Sequence, residues 1–359
     1  MTPIRVLVID DSPIVRDVLS EGLNRDPAIE VVGTATDPYM AREKIARLRP
    51  DVLTLDIEMP RMNGVQFLKY LMPQFPLPVV VVSALTKKGE LATIAALEAG
   101  AIDFVTKPGM SNATGVEEML ESLRYKVRIA AKADVSYWKK KPKQEKKQAE
   151  STLDFELLNR FIIAIGASTG GVNAVSSILT KLPQTSPGIL VVQHMPSGFT
   201  KSYAERLNTL CPFEVKEAEN GDHVLPGRVL IAPGEHHLAL VNKNGAYTAS
   251  CQKGEKVKGH CPSVEVLFHS VAEHAGKNAI GVILTGMGND GADGMLEMRQ
   301  AGARTLAQDE KTSVVFGMPN EAYKNGGAEK LVALELIPAM LVELVQSFQK
   351  NQTEIEQTG

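Results

Sequence analysis

The sequence predicts an α/β fold class, with two domains that each contain a mainly parallel sheet. The chain has 359 residues, which is long enough for two domains, and its 44% hydrophobic and 23% charged residues are typical of globular proteins. Short apolar runs alternate with amphipathic helical patterns in the first 130 residues and again from residue 161. Between these blocks the composition becomes lysine-rich. We therefore predict domains at 1–130 and 157–349, a basic linker at 131–156 and a C-terminal tail at 350–359.

In the first block, five strands alternate with five helices. Apolar runs of four or five residues bounded by polar turns are typical of buried parallel strands. Ser12 before Pro13 indicates a helix start, because proline is tolerated in the first helical turn, and Gly100 fits the end of the fourth helix. The predicted strands are 4–9, 30–35, 52–56, 79–83 and 103–105, and the predicted helices are 13–24, 38–48, 65–72, 90–99 and 116–129.

The linker is indicated by seven lysines between residues 132 and 147, in a stretch that Pro142 interrupts. Such a segment cannot bury enough apolar surface to order itself fully. The charge run could also bind an acidic partner, but a solvated linker is the better interpretation. Trp138, the only tryptophan of the chain, lies in this polar stretch and could pack on either domain or contact a partner.

The second block again alternates strands and helices, but with longer segments between them. A β-hairpin is predicted where two alternating runs flank Asn244-Gly245, because this dipeptide favours a tight hairpin turn. An amphipathic helix at 337–348 is expected to cap the domain. The predicted strands are 161–165, 189–192, 229–232, 280–284 and 305–307, the hairpin strands are 238–241 and 247–250, and the other helices are 172–182, 200–210, 264–274 and 294–301.

Composition and charge exclude several classes of function. The formal net charge is only −3, which argues against a general affinity for nucleic acid or anionic membranes. Cys211, Cys251 and Cys261 match neither a disulfide framework nor a CxxC metal site, so we expect reduced, partly buried thiols. No signal peptide is visible, and no apolar run approaches the roughly 18 residues of a spanning helix. We expect a soluble, cytoplasmic protein.

Charged residues follow or end three of the predicted strands in the first domain. Asp10 and Asp11 follow the first strand, Asp56 ends the third, and Lys107 follows the fifth. Since ligands of open parallel sheets bind at the carboxyl ends of the strands, these side chains are expected to meet at one edge. Carboxylates this close repel each other, and their hard oxygen atoms suit Mg²⁺. The set predicts a metal site with chemistry on a central aspartate, whereas any one of these residues alone would most often be an ordinary charged residue at a strand end.

A glycine-rich segment, residues 166–171, follows the first strand of the second domain directly and opens a helix. Two mechanisms fit this segment: a phosphate cradle at a helix N-terminus, or a nucleophile turn of the G-x-S-x-G type that presents Ser168. No acidic residue ends the next strand to hold a ribose, because Gln193-His194 stands there instead. The nucleophile turn is therefore favoured, although the motif alone is weak.

A catalytic triad can be assembled around this serine. Histidine is the usual base that activates a serine at neutral pH, and His194 follows the second strand as Ser168 follows the first. A further predicted strand leads into a glycine-rich loop that carries Asp290, and triads are defined by geometry rather than by chain order. In this interpretation Ser168 attacks, His194 moves the proton and Asp290 orients the imidazole. Backbone N–H groups near Met287, or at Thr169 where the helix starts, could stabilise the oxyanion.

The remaining histidines carry weaker signals. His236 and His237 are adjacent and could line the rim of a site, but no cysteine or carboxylate lies at ligand spacing with them, so a metal site is disfavoured. We expect ordinary core or surface roles for His223, His260, His269 and His274.

Residues 1 to about 130 resemble a response-regulator receiver domain, which is a flavodoxin-like fold with a five-stranded parallel sheet. The resemblance rests on Asp10-Asp11, the segment 51–60, Ser83 after a valine run, and Thr106-Lys107-Pro108. It implies that Asp56 accepts a phosphoryl group from a partner histidine kinase, with Mg²⁺ as cofactor. The implied metal ligands are Asp10, Asp11, Asp56 and the carbonyl of Glu58, and the implied phosphate-site and switch residues are Ser83, Phe104 and Lys107.

The block from about 157 to 349 resembles the catalytic domain of the chemotaxis methylesterases, a doubly wound α/β domain. The motifs that carry this resemblance are residues 165–171, 192–196, 231–237, 284–292, 307–310 and 315–319. The family hydrolyses γ-methyl esters of glutamate on the cytoplasmic helices of chemoreceptors, and many members also deamidate receptor glutamines. The resemblance implies one acyl-enzyme on Ser168 for both reactions, and no cofactor at the esterase site.

The order of receiver, linker and esterase domain implies regulation through Asp56. In the resting state the receiver would pack across the edge that carries Ser168, and phosphorylation would favour opening. The implied partners are chemoreceptors and a histidine kinase, without nucleic acid, and we expect a monomer. A DNA-binding response regulator is disfavoured, because the second block is a long α/β domain without a basic recognition helix. A nucleotide-binding protein is disfavoured by the missing Walker lysine and ribose carboxylate.

Overall fold

The computed structural model describes residues 2–108, 113–135, 138 and 158–358. The chain divides into two compact units, Met1–Lys143 and Gln144–Gly359. Both units contain a parallel sheet with intervening helices, so the predicted fold class is confirmed. None of the described helices is long and apolar enough to cross a membrane.

The first unit contains a five-stranded parallel sheet with the strand order β2-β1-β3-β4-β5. Its strands are β1 (Ile4–Ile9), β2 (Ile29–Ala35), β3 (Val52–Asp56), β4 (Val79–Ala84) and β5 (Asp103–Lys107), and its helices are α1 (Pro13–Asn24), α2 (Pro38–Leu48), α3 (Gly64–Gln74), α4 (Lys87–Glu98) and α5 (Ala113–Ala130). The central strands β3 and β4 are buried almost throughout. Burial on both faces explains why these strands are mostly apolar and do not alternate between apolar and polar residues.

Polar side chains explain where the first three helices begin. Ser12 and Asp37 accept hydrogen bonds from backbone N–H groups in the first turns of α1 and α2. Asn63 and Gln66 form a reciprocal capping box at the start of α3. Such caps satisfy N–H groups that have no partner within the helix. The predicted bounds of α1 and α2 agree with the structure at every residue.

Trp138 packs within the first unit although it lies in the predicted linker. Its side chain is buried, and a Cβ added to Gly100 would lie 3.0 Å from Trp138 Cε2. Gly100 has a φ of 115°, a conformation that glycine adopts at the end of α4 without strain. Of the alternatives for Trp138, the structure therefore shows packing on the first unit.

The second unit contains a seven-stranded parallel sheet with the strand order β14-β13-β12-β6-β7-β9-β8, and a separate antiparallel pair, β10-β11. The strands are β6 (Ile162–Ala167), β7 (Gly188–Gln193), β8 (Glu214–Glu217), β9 (Arg228–Ile231), β10 (His236–Lys243), β11 (Ala246–Lys253), β12 (Ala279–Ile283), β13 (Arg304–Gln308) and β14 (Lys330–Val332). The helices are α6 (Gly171–Leu179), α7 (Phe199–Leu210), α8 (Val264–His274), α9 (Ala292–Gln300), α10 (Met318–Lys324) and α11 (Ile337–Thr358).

The predicted hairpin is present, and it turns at Asn244-Gly245. Both residues have positive φ, 54° and 86°, as a tight hairpin turn of this dipeptide requires. Alternate residues of the hairpin, Leu238 and Leu240 among them, are buried in the same apolar core as Phe268 of α8. The hairpin therefore forms one wall of the second unit's core.

The strands β8 and β14 and the helix α10 were not predicted from the sequence. The strands β8 and β14 lie at the two edges of the sheet and contain four and three residues, mostly not buried, so they carry little apolar pattern. The helix α10 has seven residues, about two turns. Helix α11 continues to Thr358, beyond its predicted end at 348 and through most of the predicted tail.

Candidate functional site

Three carboxylates meet at the carboxyl edge of the first unit's sheet. Asp10 and Asp11 follow β1 and Asp56 ends β3, and these two strands are neighbours. One carboxylate oxygen from each residue lies within 4.8 Å of the others. Asp10 and Asp56 are buried, whereas Asp11 is exposed. The predicted clustering of these three side chains is therefore found in the structure.

Lys107 is the cation of this cluster. Its Nζ lies 2.8 Å from Asp10 Oδ2 and 3.0 Å from Asp56 Oδ2. Burial opposes the charged form of Lys107, but the two carboxylates outweigh burial and raise the pKa of the lysine. At Asp56 the balance is different, because burial raises the pKa of this carboxyl to about 6 although Lys107 opposes the change. One lysine therefore does not fully compensate the buried negative charge.

The chemistry of the cluster fits a hard divalent cation. Mg²⁺ prefers oxygen ligands and is usually held by one or two carboxylates together with water. A divalent charge beside Asp56 would favour its ionised form, which burial disfavours. The acidic cluster of Asp10, Asp11 and Asp56 is thus typical of the Mg²⁺ site of a receiver domain.

The other predicted residues of this site lie on the neighbouring segments. Glu58 N–H points to Asp56 Oδ1 at 3.4 Å, so its backbone borders the cluster. Thr93 Oγ1 lies 2.7 Å from both Ser83 Oγ and the Gly89 carbonyl oxygen, which ties the Ser83 hydroxyl to α4. In the described part of the chain, no hydrogen bond joins Ser83 to Asp56.

Phe104 occupies a buried position on β5, the strand that also carries Lys107. The ammonium of Lys126 lies 5.2 Å from the centre of the Phe104 ring and 2.7 Å from Asp103 Oδ1. A cation at this distance from a ring face is attracted by its electron density. The ring is thus held on one side by a lysine of α5.

In the second unit, three neighbouring strands bring Ser168, His194 and Asp290 to one sheet edge. Ser168 follows β6, and the strands before His194 and Asp290, β7 and β12, pair with β6 on its two sides. The backbone hydrogen bonds continue past the strand ends, from Ser168 N–H to the Thr285 carbonyl and from His194 N–H to the Ala167 carbonyl, both at 3.0 Å. After β6 the chain adds strands first on one side of it, beginning with β7, and later on its other side, beginning with β12. Open α/β sheets bind their ligands at such a switch point.

His194 and Asp290 form a buried pair. His194 Nε2 lies 2.7 Å from Asp290 Oδ2, and the two side chains are 8% and 1% exposed. Asp290 also accepts hydrogen bonds from Ser263 Oγ and from the backbone N–H groups of Val264 and Glu265. Burial alone would raise the pKa of Asp290, but these hydrogen bonds, that of His194 first among them, lower it. The carboxylate is therefore ionised and directed at the imidazole.

The second imidazole nitrogen of His194 remains available. Within the described residues, Nδ1 is buried and has no hydrogen-bond partner. Ser168 is half-buried at the next strand end, and no hydrogen bond between its hydroxyl and His194 is formed in the described part of the chain. The structure thus brings the serine and the histidine to adjacent strand ends without closing the contact between them.

The loop that carries Met287 passes directly beside Ser168. A Cβ added to Gly286 would lie 2.7 Å from Ser168 Cβ, so only glycine allows this approach. Within the described residues, the Met287 N–H has no hydrogen-bond acceptor. Thr169 is buried at the start of the turn that leads into α6. Both predicted oxyanion positions therefore lie next to the serine.

One contact of this site was missed from the sequence. The His260 ring stacks on the His194 ring with 3.7 Å between the centroids and 10° between the planes. We expected an ordinary core or surface role for His260, because it lies in a loop between β11 and α8 with no periodic signal. Only the adjacency of the two loops in space reveals that it covers one face of the His194 imidazole.

Comparison with known proteins shows the family. Residues 6–121 match the model of the response regulator receiver domain, and residues 163–341 match that of the CheB methylesterase. A protein-glutamate methylesterase/protein-glutamine glutaminase of Syntrophotalea carbinolica is 57% identical over 351 residues, covering 95% of this chain and 98% of the relative. The chain belongs to the CheB methylesterase family.

Further members and a solved structure agree. The protein-glutamate methylesterase/protein-glutamine glutaminase of Salmonella typhimurium is 50% identical over 349 residues, which are 97% of this chain and 99% of that protein. The crystal structure of the Thermotoga maritima CheB methylesterase catalytic domain aligns with a TM-score of 0.50 at 42% identity, covering 51% of this chain and 98% of that domain. The predicted family, its two domain types and its enzyme class are therefore confirmed, whereas the domain boundaries and the roles of single residues stay predictions.

Proposed function

We propose that this CheB-family protein hydrolyses glutamate γ-methyl esters and deamidates glutamines through an acyl-enzyme on Ser168. The observation that carries the proposal is the buried contact of 2.7 Å between His194 Nε2 and Asp290 Oδ2, which leaves Nδ1 as the free nitrogen at the strand end beside Ser168. A serine at a sharp turn, a histidine with a free nitrogen and a carboxylate that orients the histidine are the parts of a nucleophilic hydrolase.

In the first half-reaction, Ser168 Oγ attacks the ester carbonyl carbon while its proton passes to His194 Nδ1. The tetrahedral intermediate collapses, the C–O bond to the methoxy group breaks, and His194 returns the proton so that methanol leaves. In the second half-reaction, His194 takes a proton from a water molecule that attacks the acyl carbon. The bond from that carbon to Ser168 Oγ then breaks, His194 gives the proton to Ser168 Oγ, and glutamate leaves. With glutamine as substrate, the leaving group is ammonia and the acyl-enzyme is the same, so one set of residues serves both reactions.

Asp290 supports both proton transfers. It stays ionised because it accepts hydrogen bonds from His194 and from the first turn of α8. An ionised carboxylate fixes the ring orientation and stabilises the imidazolium that forms in each half-reaction. We assign the oxyanion donors to the Met287 N–H, which has no acceptor among the described residues, and to the Thr169 backbone.

The receiver site supplies the regulation. We propose that Asp56 accepts a phosphoryl group from a partner histidine kinase, with Mg²⁺ held by Asp10, Asp11, Asp56 and the carbonyl of Glu58. When bound, the cation would neutralise charge on the transferred phosphoryl group. Lys107 Nζ, 3.0 Å from Asp56 Oδ2, can neutralise the acyl phosphate, and Ser83 would donate to it after leaving its contact with Thr93. We propose that phosphorylation raises the esterase activity, with Phe104 moving with Ser83.

The substrates that fit this chemistry are the methylated glutamates of chemoreceptors, whose helices lie in the cytoplasm, and we propose that the protein acts there as a monomer. The test is methanol release from methylated receptor membranes, with and without a phosphodonor and Mg²⁺, by wild type, Ser168→Ala and Asp56→Asn. We expect no release by Ser168→Ala, and basal release by Asp56→Asn that the phosphodonor does not increase.

Each alternative result has a distinct meaning. Methanol release by Ser168→Ala would show that another residue is the nucleophile. An Asp56→Asn variant that still responds to the phosphodonor would place the phosphorylation site elsewhere. If wild type releases no methanol from any methylated receptor, the proposed substrate class is wrong.

A further inference from the structure

We propose that Gln193 is a positioning residue, which holds Ser168 and His194 in their reactive arrangement through their backbone carbonyl groups. This inference rests on the proposed acyl-enzyme function of those two residues. Gln193 is not expected to touch the substrate, and the proposal assigns it a role in the rate of the chemical step rather than in binding.

One side-chain amide contacts the main chain of both reacting residues. Gln193 is the last residue of β7 and is 3% exposed. Its Nε2 donates to the Ser168 carbonyl oxygen at 2.9 Å and to the His194 carbonyl oxygen at 3.2 Å. The parallel pairing of β6 and β7 stops at these residues, so beyond the strand ends this amide links the nucleophile turn to the loop of the base.

The nucleophile turn is shaped around this amide. The Ser168 carbonyl also accepts a hydrogen bond from Gly171 N–H at 2.7 Å, which closes the turn, and Gly170 adopts a left-handed φ of 79°. A Cβ added to Gly171 would lie 2.1 Å from Gln193 Oε1. Any side chain at residue 171 would therefore displace the amide, and the second glycine of the pair makes room for it.

The oxygen atom of the same amide, Oε1, does not stabilise the fold. Within the described residues, Gln193 Oε1 is buried and has no hydrogen-bond partner. A buried acceptor without a partner destabilises a fold, so packing alone would favour an apolar side chain of the same size. Residues that are unfavourable for stability are found where activity requires them. The two bonds of Nε2 supply such a requirement.

Acyl transfer is sensitive to this kind of restraint. The reacting atoms must approach to about 3–3.5 Å in the correct direction, and a displacement of about 1 Å can lower the rate about 100-fold. Loss of the link between the two loops should therefore lower kcat, whereas contacts with the substrate itself are unchanged. We expect a 10-fold to 100-fold loss of kcat and a change in KM of less than about threefold.

Two substitutions test the proposal in the full-length protein. Gln193→Met keeps the length and volume of the side chain but removes both donors. Gln193→Glu keeps the shape and replaces the donor by an oxygen that faces two carbonyl groups, so its loss of kcat should be at least as large. The matched control is Gln300→Met, at an exposed position at the end of α9. Methanol release from methylated receptor membranes gives kcat and KM, and thermal unfolding gives the folded fraction at the assay temperature.

The outcomes separate a positioning role from a structural one. A lower kcat in Gln193→Met at an unchanged folded fraction supports the proposal, and this variant decides the matter if Gln193→Glu does not fold. A kcat within twofold of wild type, or a loss confined to KM or to the folded fraction, overturns it. Ser168→Ala in the same assay distinguishes the two levels: if Ser168→Ala is active, the proposed function has failed, whereas an inactive Ser168→Ala beside a fully active Gln193→Met refutes only the role of Gln193.

Discussion

The Asp290 carboxylate accepts a hydrogen bond from the Val264 N–H at 2.8 Å, so the group that contacts His194 also caps helix α8. The Glu265 N–H and the Ser263 hydroxyl donate to the other oxygen of the same carboxylate. A carboxylate at a helix N-terminus is stabilised in its ionised form and fixed in direction. The Asp290 side chain therefore orients the proposed base, His194, and also caps the N-terminus of α8. Substitutions of Asp290 can distinguish these two roles.

We expect Asp290→Asn to lower kcat by about 10³-fold to 10⁴-fold, because a neutral amide cannot stabilise the imidazolium of His194. Asparagine keeps one acceptor oxygen for the start of α8, but its amide N–H group faces a backbone donor on the other side, so some stability should be lost, though less than with alanine. Asp290→Ala also loses the cap and should be less stable by about 1–2 kcal/mol. Methanol release and thermal unfolding measure the two effects. Asp293→Asn, with the same change at an exposed position, is the control. A kcat of Asp290→Asn within tenfold of wild type would contradict the assignment.

The buried charge of Asp56 predicts a pH-dependent stability of the first unit. Burial raises the pKa of Asp56 to about 6 in the folded state, against about 4 in an unfolded chain. Between these pH values the folded state binds more protons at Asp56 than the unfolded chain does. The contribution of Asp56 to the free energy of unfolding therefore falls as the pH rises through this window, and it is constant above about pH 6. We expect Asp56→Asn to be more stable than wild type at pH 8 by on the order of 2 kcal/mol, and this advantage to vanish near pH 4.

Trp138 makes this measurement specific to the first unit. It is the only tryptophan of the chain and is buried in that unit, so urea unfolding in the absence of metal ions can be followed by its fluorescence. Glu43→Gln, an exposed position on α2, controls for the loss of one negative charge. A stability difference that is the same at pH 4 and pH 8 would show that Asp56 does not titrate in this window.

The acidic cluster predicts the effect of removing one metal ligand. Asp11→Asn should weaken Mg²⁺ binding at least about tenfold, because one of the three clustered carboxylates loses its charge. Asp11 is exposed, so this change should leave the fold intact. Titration calorimetry with Mg²⁺ measures the affinity directly, with Glu43→Gln as the charge-matched control. Equal affinity in Asp11→Asn and wild type would remove Asp11 from the ligand set.

The cysteines are predicted to be unreactive in the folded protein. Cys211 and Cys251 are free and half-buried, and burial raises the pKa of each thiol to about 12. The thiolate is the reactive form, so iodoacetamide at pH 8 should modify both much more slowly in native than in urea-unfolded protein. Mass spectrometry of timed samples measures the two rates. Rapid modification of either thiol under native conditions would refute the prediction.

The sequence was most informative where burial forces a strong pattern. Strands β1 and β3 are predicted with the bounds that the structure shows, because buried parallel strands are mostly apolar segments between polar turns. Helix α8 is also predicted with the bounds that the structure shows, 264–274. The edge strands β8 and β14 were not predicted, because strands of three or four residues that are mostly not buried need few apolar side chains.

By itself the sequence determined which reactive residues stand at strand ends, since in a parallel sheet every residue that follows a strand lies on the same edge. That rule was sufficient to collect Asp10, Asp11, Asp56 and Lys107 in one unit and Ser168, His194 and Asp290 in the other. Only the tertiary structure decided how these residues are held. The cap of α8 on Asp290, the stacking of His260 and the amide of Gln193 all depend on loops that are distant in sequence and meet in space. Loop contacts of this kind follow from packing and hydrogen-bond satisfaction in three dimensions, and no local pattern in the chain encodes them.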